Sequence, residues 1–286
     1  MRQLTTLVED LTFGEGPRWR DGFLYFSDFY DCMVKRVSLG GVVETVVDVP
    51  QQPSGLGWLP DGRMLIVSMI DQKLMVFDGS SLTEYADLSA HATHHCNDMV
   101  VDDHGNAYIG NFGFDSSKGE DVKTTNLILV RPDQSVEVAA DDLSFPNGTV
   151  ITPDGKTLII GETYGARLTA FDINDDASLS NRRLWADLTP LQPENPPVPD
   201  GMCLDEEGGI WVASPTTKEV LRMGENGTLL ERISLDRGAF ACMLGGDDGK
   251  TLFIVTCKTS IAERCVSERS GRIEICKVDH AAAGKP

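Results

Sequence analysis

Glu15, Asn97, Asn147 and Asp200 are oxygen-bearing side chains that recur in one register of this sequence. Three of them stand eight residues before a turn glycine (Gly105, Gly155, Gly208), and Glu15 stands seven before Gly22, where the turn is one residue shorter. The same count lands on Ser54 before Gly62 and on Ala241 before Gly249. Two carboxylates and two carboxamides offer only hard oxygen donors and a summed charge of about −2, which suits a divalent cation. The set contains no His or Cys, so Ca²⁺ is favoured over Zn²⁺, with Mn²⁺, Mg²⁺ and Fe²⁺ as the other candidates. Without a cation, two carboxylates facing each other in a partly dry channel raise one another's pKa and destabilise the fold. Singly, Asn and Asp beside glycine are ordinary turn residues bonded to the local backbone. Four in one register ask for more than that, either a catalytic cation or a structural ion.

The register comes from an internal repeat. Six segments are variants of one another: 14–28 (GEGPRWRDGFLYFSD), 53–69, 96–112, 146–162, 199–214 (PDGMCLDEEGGIWVAS) and 241–256. Each reads as a short strand, a tight turn ending in glycine, and a second strand rich in β-branched and aromatic residues. The turn glycines lie 40 to 53 residues apart, a period that suits a four-stranded propeller blade. Segments such as KLMVFDG and RLTAFDI supply third strands, and LTEYADL and RRLWADL supply fourth strands. The sixth repeat runs out after RIEICKV, with only DHAAAGKP left, so LTTLVEDL at residues 4–11 is expected to complete it and close the ring. The predicted fold is all-β, a single domain over 1–286 forming a six-bladed β-propeller. The first strand of each blade is innermost, which gathers Glu15, Asn97, Asn147 and Asp200 at one mouth of the central channel.

Composition narrows the partners. Lys and Arg total 25 against 44 Asp and Glu, a formal net charge of −19, which disfavours nucleic acid and anionic membrane. No stretch approaches 18 apolar residues, and MRQLTTLVED has no apolar h-region. Seven scattered cysteines with no C-x-x-C pair read as reduced thiols of a cytoplasmic protein, with Cys96 and Cys203 packing between blades. Oligomeric state leaves no signal in the sequence.

The settings of the four donors (GEGP, CND, PNG, PDGMCLD), with SNRR, AFDI and WVAS nearby, resemble the senescence marker protein (regucalcin) and gluconolactonase family of six-bladed propellers, from about residue 11 to 278. The resemblance implies a lactonase with one divalent cation at the channel mouth. It makes Glu15, Asn147 and Asp200 direct ligands and puts Asn97 at the metal, or linked to it through water and substrate. Asp200 also matches the family's proposed general base. A lactone carbonyl on the open face of the ion would be polarised by it, while Asp200 takes a proton from the attacking water. No G-x-S-x-G elbow suggests an acyl-enzyme. Where sugar-lactone members often have Arg, two residues before the channel Asn, this chain has His95, and Asp115 aligns with a position that binds sugar hydroxyls. The partner expected is therefore a small lactone, sugar-derived or related. A calcium-dependent phosphotriesterase or arylesterase would use the same cradle, and a non-enzymatic calcium-binding propeller is the third reading.

HATHHC, with His91, His94, His95 and Cys96, looks like a transition-metal cluster, yet adjacent His94 and His95 point to opposite faces of an extended segment and no second cluster adds ligands. It reads as a loop at the pocket rim with His95 towards substrate. The proline-rich TPLQPENPPVP before Asp200 reads as a rigid blade connection that also walls the pocket.

Overall fold

The computed structural model describes residues 2–115 and 118–286. Six antiparallel sheets are arranged in a ring as a six-bladed β-propeller. Their inner strands are Gly14–Arg20, Pro53–Trp58, Cys96–Val101, Pro146–Ile151, Met202–Asp205 and Gly238–Gly245. Each inner strand pairs with a second strand across the expected turn, and all six turn glycines have φ between 68° and 90°, which side chains with a Cβ adopt only with strain. The N-terminal strand Thr5–Leu11 runs antiparallel to Gly271–Lys277, with Thr5 opposite Ile275 and Leu11 opposite Gly271. It is the fourth strand of the last blade, so the ring closes as the repeat predicts.

The inner two strands of each blade are buried on both faces, which explains their near-continuous apolar runs, such as Met64–Ser68 and Ile210–Ser214. Outer strands alternate buried and exposed residues. Apolar side chains fill the wedge between neighbouring blades; Trp211, Leu244, Phe253 and Leu24 belong to one cluster that joins the fifth, sixth and first blades. Fully burying one such side chain contributes roughly 1.5–3 kcal/mol. Asp205 fixes the fifth blade from within by accepting from Trp211 Nε1 at 3.0 Å and from Arg222 Nε at 2.7 Å.

One element was not anticipated. Ala282–Ala283 pairs with Leu204 and Asp205, adding a fifth strand on the channel side of the fifth blade, and Lys285 bridges to Ile151 in the fourth. The tail therefore lies at the far ends of the inner strands, opposite the mouth where those strands begin. Two alanines carry no periodicity by which a strand could be read. Among the described residues, no helix is long and apolar enough to cross a membrane.

Candidate active site at the channel mouth

A bulge sits at the start of the inner strands. In the first blade Glu15 opposes Ser27 and Arg18 opposes Tyr25; in the third, Cys96 opposes Asn111 and Met99 opposes Ile109; in the fourth, Pro146 opposes Glu162 and Thr149 opposes Ile160. One extra residue on the inner strand breaks the alternation and re-aims the side chains beside it. Glu15, Asn97 and Asn147 lie at these bulges. Asp200 lies just ahead of the fifth inner strand, its N–H bonded to Ala213 O at 2.9 Å. The residue after a ring position is glycine where backbones must touch: a Cβ on Gly55 would lie 2.4 Å from Met99 N, and one on Gly148 would lie 2.4 Å from Asp200 O. Inner strands thus meet backbone to backbone, and the four donors are drawn together.

Asn147 is hydrogen-bonded to the Asp200 carboxylate. Its Nδ2 also donates to Thr163 Oγ1 at 3.2 Å. Thr163 gives its own proton to Pro199 O at 2.7 Å, so its oxygen can only accept from Asn147. The amide is thereby oriented with Oδ1 as its acceptor. Asn97 is 6% exposed and its Nδ2 is buried without a partner. Burial pushes Asp200 up to about 8; repulsion from Asp98 adds to this, while the bonds from Asn147 and the Gly201 N–H oppose it. Burial also holds Glu15 well above the ordinary carboxylate range, with Asp200 and Asp98 repelling it and the Gly16 N–H and Arg18 working the other way. Glu15 is itself only partly buried. When both are ionised, Glu15 and Asp200 repel one another, which adds to the cost of holding charge at this mouth.

Asp98, beside Asn97, is a third carboxylate at this ring that the repeat count passed over. Its charge is met by Arg18 Nη2 at 2.7 Å, with both side chains buried. Arg18 also donates to Leu56 O at 3.0 Å and Met99 O at 2.6 Å, so one guanidinium ties the first three inner strands together. It is committed there, and among the described residues no Lys, Arg or His forms an ion pair with Glu15 or Asp200. No three His, Cys, Asp or Glu of the described residues are grouped to hold a metal. The oxygen donors present are two carboxylates without a cationic partner and two amides, and this set fits a hard divalent ion whose remaining sites are filled by water or substrate.

A second tier of polar residues holds the ring from below and was not recognised as such. Four of the six second strands end in one: Asp28, Asn111, Glu162 and Ser214 are all fully buried. Each accepts from the segment that leads into its own inner strand. Asp28 accepts from the N–H groups of Thr12 and Phe13 at 3.1 and 2.9 Å, Glu162 from Ser144 N at 2.9 Å, and Ser214 from Val198 N at 3.1 Å. Asn111 Oδ1 accepts from Thr93 Oγ1 at 3.1 Å. The signal lay in the repeat, where segments 14–28, 146–162 and 199–214 end in Asp, Glu and Ser after an apolar strand and Asn111 stands one residue before the end of 96–112.

His94 and His95 do not diverge. The chain bends at residues 93–94 ahead of the inner strand, and the two imidazoles lie 4.2 Å apart between centroids. Asp115, 8% exposed, is paired with Lys118 Nζ at 2.9 Å and lies 3.7 Å from His94 Nε2. Burial lowers the pKa of His95, with His94 adding to the effect and Asp115 opposing it, so its imidazole is neutral at pH 7. His95 and Asp115 thus share the rim above Asn97. Cys96 and Cys203 are buried free thiols packed among apolar residues. Val198 and Pro199 anchor the end of the proline-rich connection beside Asp200.

The family model described as "SMP-30/Gluconolactonase/LRE-like region" matches residues 13–258. Regucalcin of Danio rerio is 27% identical over 256 residues, covering 85% of this chain and 82% of its own. L-arabinolactonase of Azospirillum brasilense is 22% identical over 286 residues, covering 96% and 92%. The crystal structure of a calcium-binding protein, regucalcin, from Agrobacterium tumefaciens superposes with a TM-score of 0.83 at 20% identity, covering 100% of this chain and 97% of that one, a likeness of fold. The bulged ring of donors sits inside the matched span, and the chain belongs to the SMP-30/gluconolactonase/LRE-like family.

Proposed function

We propose that this protein is a divalent-cation-dependent lactonase that opens a small lactone to its hydroxy acid. The observation that carries the reading is the pair of carboxylates, buried Asp200 and partly buried Glu15, which share one channel mouth with Asn97 and Asn147 and form no ion pair with a Lys, Arg or His among the described residues. A relative named L-arabinolactonase and a neighbour described as calcium-binding support the reaction class and the ion. Glu15, Asn147 and Asp200 would hold the ion, with Asn97 beside them.

When bound, a divalent cation supplies Lewis-acid polarisation of the lactone carbonyl and stabilises developing oxyanion charge. The chain's own residues supply the rest. Asp200 accepts the proton of the attacking water on a carboxylate oxygen and can return it to the leaving alkoxide oxygen of the opened ring. The ordinary pKa of Asp is 3.8 and burial moves it towards 8; a cation held beside Asp200 would favour the ionised form, the one that can accept a proton. The bond from Asn147, itself fixed through Thr163 and Pro199, holds that carboxylate in one orientation. His95, neutral and half-buried, offers one donor and one acceptor to the substrate at the rim.

The test is hydrolysis of a panel of γ- and δ-lactones beside paraoxon and phenyl acetate, before chelation, after it, and after Ca²⁺, Mn²⁺ or Zn²⁺ is returned. Lactone hydrolysis that is lost on chelation and restored by metal is expected. Full activity in a verified metal-free preparation, or turnover of paraoxon alone, would sink the proposal.

A further inference from the structure

An aromatic wall stands over the third and fourth blades at the mouth where the four donors converge. Phe145 immediately precedes Pro146 and Asn147, and Phe112 follows the second strand of the third blade. Their rings stack at 4.7 Å and 23°. Tyr164 meets Phe145 edge-on at 5.3 Å, and His95 lies 5.8 Å from Phe112. The wall is not sealed into the core, because Tyr164 is 51% exposed and Phe112 and Phe145 are each only partly buried.

The backbone fixes the position of the wall relative to Asn147. Phe145 has φ of 60°, in the left-handed region, where a bulky aromatic residue is a rare outlier. The same conformation recurs at Gln52, which precedes Pro53 in the second blade with φ of 65° and accepts from Met69 N at 2.9 Å, so it belongs to the way the chain enters an inner strand and fixes where the side chain stands. The surroundings can be named: Thr163 N donates to Phe145 O at 3.1 Å, Tyr164 N donates to Ser144 O at 3.3 Å, and Ser144 N is held by Glu162 at 2.9 Å. A buried anchor therefore holds the strained residue beside Asn147 with its ring against Phe112.

Resting on the lactonase reading, we propose that the substrate is a lactone bearing an apolar, preferably aromatic, substituent, which lies against Phe112, Phe145 and Tyr164 while the lactone carbonyl is directed to the four donors. A polyhydroxylated sugar ring finds few partners on such a wall, whereas each methylene buried against it is worth about fourfold in binding (about 0.8 kcal/mol), and an aromatic pair adds to that.

The metal-replenished protein should show a kcat/KM for γ-phenyl-γ-butyrolactone at least tenfold above that for γ-butyrolactone, and above that for glucono-δ-lactone. Tyr164→Ala, at an exposed position, and Phe145→Leu, which keeps apolar bulk, should each lower the phenyl-to-unsubstituted selectivity about five- to tenfold. Calorimetric binding of the corresponding γ-phenyl lactam, which is not turned over, gives a readout independent of catalysis and should weaken in the same variants. If sugar lactones are preferred and neither variant moves the selectivity or the lactam affinity, this inference is overturned while the lactonase reading stands. If no lactone is hydrolysed but the lactam binds in a Tyr164-dependent way, the aromatic site stands and the lactonase reading falls. Absence of both turnover and lactam binding overturns both.

Discussion

Stripping the cation should convert the channel mouth into a pH-dependent weakness, and Asp200 sets the size of the effect. Its pKa is about 8 in the native channel against 3.8 for the free group. Below about pH 4 both folded and unfolded chains hold the proton, and the contribution of Asp200 to stability is fully present. Between pH 4 and 8 the unfolded chain has released the proton while the native chain retains it, so stability falls by about 1.4 kcal/mol per pH unit. Above pH 8 both are ionised and the loss is complete. Four units give about 6 kcal/mol as an upper figure, which water entering the channel reduces, set against a total stability of about 5–15 kcal/mol for a typical protein. Glu15, shifted in the same direction, adds to the loss. A bound cation reverses the logic, since it stabilises the ionised carboxylates and its binding releases protons. The assay is urea or thermal unfolding of chelated and metal-loaded protein from pH 5 to 8.5 at fixed ionic strength. Metal-free stability should fall as pH rises, and the gap between the two forms should widen. The many surface carboxylates also titrate, so Asp200→Asn is the needed control: its metal-free profile should be visibly flatter. Equal metal-free stability at pH 5.5 and 8 in both proteins would refute the claim that buried, cation-free carboxylates line this mouth.

Three further outcomes follow from the same geometry. Asp200→Asn keeps an oxygen and the shape but removes the proton acceptor, so it should retain most of its metal by elemental analysis while losing about 10²- to 10⁴-fold in rate; a metal-loaded variant within a few-fold of the parent would leave Asp200 a ligand alone. Arg18→Met leaves Asp98 buried and unpaired and should cost about 3–5 kcal/mol in urea denaturation, with Asp98→Asn added on top recovering part of the loss; wild-type stability in the single variant would show that the pair does not hold the inner strands. His95→Arg places a five-donor fork at the rim and should move preference towards polyhydroxylated lactones, and unchanged relative rates on sugar and alkyl lactones would mean that this side chain does not meet the substrate.

What could be read from the sequence was whatever the backbone demands of residue identity at a fixed period. A turn that needs positive φ selects glycine, so Gly22 through Gly249 mark the blades, and counting back from them finds Glu15, Asn97, Asn147 and Asp200 without knowledge of the fold. Closure by Thr5–Leu11 was legible for a similar reason, since a blade short of one strand leaves an unpaired edge. The parts that stayed hidden depend on neighbours that only the closed ring supplies. Arg18 and Asp98 are eighty residues apart and meet because Gly55 lets the intervening strand pass at backbone distance. Asp28, Asn111, Glu162 and Ser214 do one job with four chemistries, so their row shows no repeated letter, only a polar residue where burial is complete. His94 and His95 share a side because a bend, not a strand, carries them. Phe145 reads as an ordinary core residue until its φ is seen. These features lie at one end of the channel around the four donors, and that is where sequence rules should fail: local preference is overridden at a site that must gather uncompensated charge, orient it and present an open wall to a ligand. The regular blades are what hold such a site in place.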